Sequence, residues 1–158
     1  LKFFNVYGPN EYHKGDMQSV AAKAHRQIRK EGSLNLFKSD RPDMADGEQS
    51  RDFVYVKDCT ALMAWLLERK DVCGIHNVGT GTARSFNELA MSVFSALELP
   101  CRINYVDMPD TLKGRYQHFT EAAMDWLDRV DCPLAFTSLE EGIADYVCGY
   151  LENEDPYL

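Results

Sequence analysis

The sequence predicts an α/β fold with parallel strand pairing, and three observations lead there. Short apolar stretches rich in Val, Ile, Phe and Tyr alternate with helix-like stretches along the whole length. The helix-like stretches carry start and stop signals, with Ser or Asp before them or Gly after them. The composition, 45% hydrophobic and 11% aromatic over 158 residues, supplies one sizeable core, since a chain of this length can bury roughly 68–70% of its extended surface. No internal repeat or low-complexity segment interrupts the pattern, so the chain reads as one domain-sized unit.

Residues Lys2 to Tyr7 form an apolar stretch of β-propensity, stopped by Gly8, Pro9 and Asn10. Met17 to Glu31 reads as a helix, with Asp16 placed to cap its first turn, Arg29 and Lys30 in its last, and Gly32 just beyond. Lys23, Arg26 and Lys30 recur at three- and four-residue spacing and share one face. Leu34 to Phe37 reads as a strand, and Ser39 to Ser50 as a mobile acidic loop that carries no core. Arg51 to Val56 alternates toward a strand, and Asp58 stands where it can cap the apolar helix that runs through Leu67. Gly74 to Val78 reads as a buried strand. Gly79-Thr80-Gly81 then turns it into a helix whose start carries Ser85 and Glu88 at capping-box spacing. Further on, Ile103 to Val106 suggests a strand, Thr120 to Leu127 a short helix, and Leu139 to Leu151 an amphipathic helix. The last of these shows Ile143, Tyr146, Val147 and Tyr150 on one face, and the tail from Glu152 to Leu158 reads as frayed.

Charge and composition narrow the function classes. Seventeen Lys+Arg stand against 25 Asp+Glu, a formal charge of −8, which disfavours nucleic acid and anionic membranes as partners because both require a basic field. The longest nearly unbroken apolar run, Cys59 to Leu67, has nine residues, against the ~20 that cross a bilayer. Five cysteines without a C-x-x-C pair argue against a disulfide framework and suit a reducing cytoplasm. The chain opens on Leu1 without a secretory signal, and this opening is expected to be a cut rather than a natural start. Zinc-type Cys/His spacing, a G-x-S-x-G elbow and a Walker loop are all missing from the sequence. Gly79-x-Gly81-x-x-Arg84 follows a strand and precedes a helix, but Arg replaces the third glycine, so a plain turn is expected there rather than a phosphate cradle.

Four stretches carry a resemblance. Phe3-Phe4-Asn5-Val6-Tyr7-Gly8-Pro9 resembles the strand and loop that follow the catalytic Tyr-x-x-x-Lys of extended short-chain dehydrogenase/reductases acting on nucleotide sugars. Glu11-Tyr12-His13-Lys14-Gly15, then Arg51-Asp52-Phe53-Val54-Tyr55-Val56-x-Asp58, then Leu112-Lys113-Gly114-Arg115-Tyr116-Gln117-x-Phe119-Thr120, are similar within that group to the ADP-heptose 6-epimerase family. The resemblance covers residues 1–151. It implies the C-terminal half of such an enzyme: the last Rossmann-type parallel strands plus the smaller α/β substrate-binding domain. The Gly-rich turn, most of an NADP site and the Tyr-x-x-x-Lys pair would then lie in another half. The implied reaction is a hydride transfer to NADP from carbon six of the heptose and back to the opposite face through a transient ketone, in the supply of lipopolysaccharide core heptose.

The same resemblance implies roles for single residues. Lys14 would be the second acid/base, facing the Tyr across the sugar and lying beside the cofactor with Val6. An amine there works as a base when burial disfavours its charged form. Asn5 and Tyr116 would contact the sugar. Lys23, Phe37, Lys38, Ser39 and Asp40 align with substrate-contacting positions, and Arg51 would anchor the diphosphate through its planar guanidinium. No metal is implied. The full enzyme would be a homo-oligomer, a pentamer by family resemblance, while the fragment alone would be inactive. Asp16 and the acidic loop depart from the family pattern and bear on ligand preference. The rival readings are half of a related UDP- or dTDP-sugar epimerase or dehydratase, and a non-catalytic assembly module built on open strand edges. Competition between ADP- and UDP-sugars separates the first rival; a discrete complex that binds no ADP-sugar marks the second.

Overall fold

A computed structural model of the chain describes every residue except Lys113, Pro156 and Leu158, so the Lys113 position of the third motif lies outside the described residues. The opening apolar stretch forms two strands, β1 (Lys2–Phe3) and β2 (Asn5–Tyr7), which pair in parallel with different partners. The switch comes at Phe4: its amide donates to the Val78 carbonyl at 2.9 Å, and the next amide, of Asn5, donates to the Asp52 carbonyl at 3.1 Å. The predicted helix starts later than expected, as α1 (Val20–Glu31), and its N-cap is Ser19, whose hydroxyl accepts from the Ala22 amide. Asp16 is not the cap because it sits within a preceding 3-10 segment, Tyr12–Met17, broken by Gly15 at φ 53°. At the other end Gly32 adopts the left-handed conformation and closes the helix as expected.

β3 (Leu34–Phe37) pairs in parallel with β8 (Ile103–Val106). The loop between residues 39 and 50 is not free of core: Gln49 is only 2% exposed and donates to the Lys38 carbonyl. The stretch read as one strand is again two, β4 (Ser50–Arg51) and β5 (Phe53–Tyr55), separated by Asp52. β4 lies antiparallel to β7 (Arg84–Ser85) and parallel to β9 (Phe119–Thr120), whereas β5 pairs with β2 in the register Asn5↔Phe53, Val6↔Val54, Tyr7↔Tyr55. α2 (Val56–Glu68) follows β5 directly, and Asp58 does not cap it. Its carboxylate instead accepts from the amide and hydroxyl of Thr137, both at 2.8 Å, tying two distant segments.

β6 (Asn77–Val78), the partner of β1, is shorter than the predicted 74–78, and Ile75 is 90% exposed rather than buried. The Ser85–Glu88 capping box starts α3 (Phe86–Ala96) as the spacing predicts. The predicted helix from Thr120 to Leu127 is mostly extended. Thr120 pairs with Arg51 and Ala122 donates to Asp52, so helical geometry begins only with α4 (Trp126–Arg129). α5 (Leu139–Tyr146) and a π turn (Val147–Leu151) complete the last amphipathic stretch. The tail is anchored at its first residue, Glu152, which pairs with His25 and Arg29.

Strand alternation divides the interior in two. Phe53 and Tyr55 of β5, with Tyr7 of β2, pack into a cluster formed by Ile28 of α1, Leu89 and Phe94 of α3, and Ile143 and Tyr146 of α5. Val54 points the other way, to Cys59 and Leu62 of α2, Val78, Trp126 and Leu127. At Gly142 the helix backbone approaches Tyr7 so closely that an added Cβ would fall on the Tyr7 hydroxyl. Among the described residues no helix is long and apolar enough to cross a membrane.

Candidate functional site

Beside β2 and against the first cluster, a cleft of about 230 Å³ opens, lined among others by Asn5, Val6, Lys14, Gln18, Arg51 and Phe86. The strand switch at Phe4 and the one at Asp52 bring Asn5, Val6 and Arg51 together here.

Arg51 is the most constrained of these groups. It is only 9% exposed, and its guanidinium carbon lies 5.2 Å from the Tyr116 ring centre and 5.7 Å from that of Phe86. One nitrogen donates to the Ser50 carbonyl at 2.8 Å, and among the described residues no carboxylate pairs with it. Burial pulls the guanidinium pKa down from its ordinary value, with Tyr116 acting in the opposite sense. A desolvated cation with spare donors suits an incoming anion. Tyr116 stands edge-on to Phe37 at 6.4 Å and to His118 at 5.7 Å, and His118 pairs with Asp40 at 3.0 Å. Burial raises the Tyr116 hydroxyl pKa, with Arg51 pulling the other way, so the group remains a hydrogen-bond donor.

The structure thus gathers Asn5, Val6, Lys14 and Arg51 in one cleft, with Tyr116, Phe37 and Asp40 linked to Arg51 through ring contacts and the His118 pair. Three other predicted residues point elsewhere. Lys38 pairs with Asp107 at 2.9 Å, the Ser39 amide donates to Asp46 at 2.8 Å, and Lys23 donates to the Asp16 carbonyl at 2.6 Å without lining the cleft. Lys14 is exposed, and among the described residues its ammonium makes no hydrogen bond or ion pair, so burial of that amine is not supplied by this chain's own residues. The Asn5 side-chain amide donates to the Asp52 carbonyl at 3.3 Å, leaving its oxygen to accept.

Three further residues were not singled out by sequence reasoning. Glu11, 4% exposed, accepts from the Ser19 amide and hydroxyl at 2.5 and 2.6 Å and from the Tyr146 hydroxyl at 3.0 Å, while its carbonyl accepts from the Lys14 amide. It therefore fastens the turn that carries Lys14 to α1 and α5. Phe86 backs Arg51. Asp52, fully buried, fills the glycine turn: its carboxylate accepts from the Thr80 amide at 2.7 Å and hydroxyl at 2.8 Å, and from the Gly81 and Ala122 amides at 3.0 Å. The sequence signals for Asp52 are its place in the Arg51–Asp58 motif and a charge set inside an apolar strand pattern.

The chain is similar to several known proteins. The sequence profile of the NAD dependent epimerase/dehydratase family matches residues 1–79. A protein of Nitratidesulfovibrio vulgaris (strain DP4) named ADP-L-glycero-D-manno-heptose-6-epimerase is 57% identical over 158 residues, 100% of this chain and 49% of that relative. The protein of the same name from Fusobacterium nucleatum is 46% identical over 100% of this chain and 49% of its own length. The chain spans about half the length of the curated relatives it matches. Among solved structures, Helicobacter pylori ADP-L-glycero-D-manno-heptose-6-epimerase superposes with a TM-score of 0.76 at 28% identity, over 93% of this chain and 42% of that one. The UDP-N-acetylglucosamine 4-epimerase of Methanobrevibacter ruminantium M1 gives 0.73 at 26% identity, over 92% and 43%. The expected architecture, an α/β part of an extended short-chain dehydrogenase/reductase fold with parallel strands, holds. With half of its residues under the family profile and its motifs gathered around one cleft, this chain belongs to the NAD dependent epimerase/dehydratase family.

Proposed function

We propose that residues 1–151 form the C-terminal, mainly substrate-binding half of an ADP-glyceromanno-heptose 6-epimerase, which inverts carbon six of ADP-D-glycero-D-manno-heptose. The observation that carries this reading is Arg51, a desolvated cation without a carboxylate partner among the described residues, held between two rings at a cleft that also contains Lys14 and Asn5. Relatives with the matching name over the whole chain point to the same substrate.

A nicotinamide cofactor is implied by the family, and the residues present suit one end of it. Val6 offers an apolar side chain in the cleft that Lys14 also lines. Its pyrophosphate finds no cradle here, because the Gly79–Gly81 turn is already filled by the Asp52 carboxylate. When bound, such a group accepts a hydride from a secondary alcohol and returns it. Arg51 binds the diphosphate of the substrate with two parallel N–H donors. Asn5 and Tyr116 orient the sugar, and Lys14 takes or gives the proton of the reacting hydroxyl on one face. Val6 and Phe86, among the apolar side chains that line the cleft, help exclude water. NADP rather than NAD, a cytoplasmic setting in lipopolysaccharide biosynthesis and a homo-oligomeric, pentameric enzyme belong to the same proposal. All five cysteines are free thiols, which fits a reducing compartment.

The test uses the full-length protein that carries this chain, incubated with ADP-D-glycero-D-manno-heptose and analysed for the L-glycero epimer. Formation of that epimer, lost on Lys14→Met, is expected. A protein that contains NADP yet leaves the substrate unchanged overturns the proposal.

A further inference from the structure

We infer that Asp52 is the positioning residue of this site, holding Arg51 and Asn5 in the geometry that grips a nucleoside-diphosphate sugar; the inference rests on the function proposed above. Asp52 is fully buried, and its carboxylate gathers four donors from two segments far away in the chain: the Thr80 amide and hydroxyl and the Gly81 amide from one, and the Ala122 amide from the other. Gly79 leaves no room for a Cβ beside it, since that atom would meet both the Asp52 carboxylate and Ala122. The cluster is therefore closed to any ligand and acts on the cleft only through the backbone.

That backbone is where the chain changes sheets. Arg51 pairs with Arg84 and Thr120, while Phe53, two residues on, pairs with Asn5. β4 has only two residues, too few for its own ladder to fix the direction of the Arg51 side chain. The Asp52 carbonyl accepts from both the main-chain and side-chain amides of Asn5, at 3.1 and 3.3 Å. Rotation of this one residue would move the arginine and the asparagine together. Its hold on Ala122 also fixes β9, which flanks Arg51 and follows Tyr116 in the chain. The carboxylate thus anchors the stretch of main chain that carries Arg51 and whose Asp52 carbonyl holds Asn5.

The experiment is a double-mutant cycle in the full-length protein, with Asp52→Asn, Arg51→Met and both together, reading kcat and KM for ADP-D-glycero-D-manno-heptose. Asn keeps the shape but turns an NH₂ toward amide donors. Asp52→Asn is expected to raise KM about tenfold with kcat within about twofold, and to act less than additively in the Arg51→Met background, where only the share carried by Asn5 remains. Additive effects, an unchanged KM, or a fall in kcat with KM unmoved overturn the inference while leaving the function standing. An Arg51→Met enzyme with an unchanged KM instead refutes the binding role given to Arg51, and the inference falls with it. Should Asp52→Asn fail to fold, Thr80→Val removes one hydroxyl donor at constant shape. It is expected to raise KM about threefold, and no change in KM overturns the inference.

Discussion

Replacing Arg51 with Met separates a binding arginine from a structural one. Arg51 makes two ring contacts, at 5.2 and 5.7 Å, and one hydrogen bond, to the Ser50 carbonyl. Losing the ring contacts of a desolvated cation costs up to about 2 kcal/mol each, and losing a hydrogen bond from a charged donor about 1.5–3 kcal/mol. Against this, the substitution removes a desolvated charge that no carboxylate compensates among the described residues, and exchanges of that kind for a well-packed apolar residue are often neutral or stabilising by about 1–4 kcal/mol. Methionine sulfur on the same two rings returns part of the rest. The sum is a net loss of at most about 2 kcal/mol, so the apparent Tm without ligand should fall by no more than about 8 °C. Binding behaves differently, because truncating one partner of a desolvated charge pair costs about 2–3 kcal/mol at the lower end of its range, or about 30- to 150-fold in Kd. Calorimetric titration with the ADP-sugar and differential scanning of the free enzyme read the two quantities separately. A Tm lowered by more than about 8 °C with the Kd unchanged would show that Arg51 supports the fold and refute the reasoning.

Three other outcomes follow from particular contacts. Gly142→Ala should lower the Tm, since overpacking against the Tyr7 hydroxyl costs about 1–3 kcal/mol and exceeds the ~1 kcal/mol that Ala gains in helix propensity; adding Tyr7→Phe should recover much of the loss, because that buried hydroxyl has no hydrogen-bond partner among the described residues, and a double variant no more stable than Gly142→Ala contradicts this. Iodoacetamide at pH 8 should label the exposed Cys73 and Cys148 while sparing Cys59, whose thiol is buried and pushed up to about 12 by that burial and by Asp58; equal labelling by peptide mass spectrometry would disprove it. Hydrogen bonding to Arg84 holds the Glu140 carboxyl below its ordinary value, Arg29 does the same for Glu152, and Lys57 with Tyr55 for Asp145. Their folded pKa values lie below the unfolded ones, so their stabilisation is complete above the usual carboxylate range of about 4 and is lost as the pH falls through the folded values. The Tm should be flat from pH 7 to about 5 and decline below about 4, less steeply in Arg84→Leu, and a Tm that rises on acidification is inconsistent with these pairs.

What was legible in the sequence was mostly local. The Ser85–Glu88 box and the Gly32 stop depend on groups within one turn of each other, and both stand where the spacing places them. Asp16 and Ser19 are equally good caps by residue type; Gly15 decides between them through a backbone turn that no propensity encodes. Ile75 and Asp52 fail for opposite reasons. The first is apolar and exposed because β6 spans only Asn77 and Val78; the second is charged and buried because donors 28 and 70 positions away converge on it. The motifs led to Asn5, Val6, Lys14 and Arg51, yet Glu11, though inside a motif, received no role, and Phe86 none either, because their contacts, to Tyr146 and Arg51, are made only by the folded chain.

The same non-local character explains why the cleft lies where it does. A strand inside one sheet presents alternate residues to two fixed faces, so neighbours such as Phe53 and Val54 enter different cores. At Phe4 and at Asp52 the chain leaves one ladder for another, and the alternation is reset. Asn5 and Arg51, each beside such a break, belong to neither core and line a common opening. That placement has a cost, because short ladders hold side chains loosely, and the buried carboxylate and Glu11 supply the constraint that the ladders lack. A site built on a seam therefore depends on buried polar ties to a degree that a site within one sheet would not.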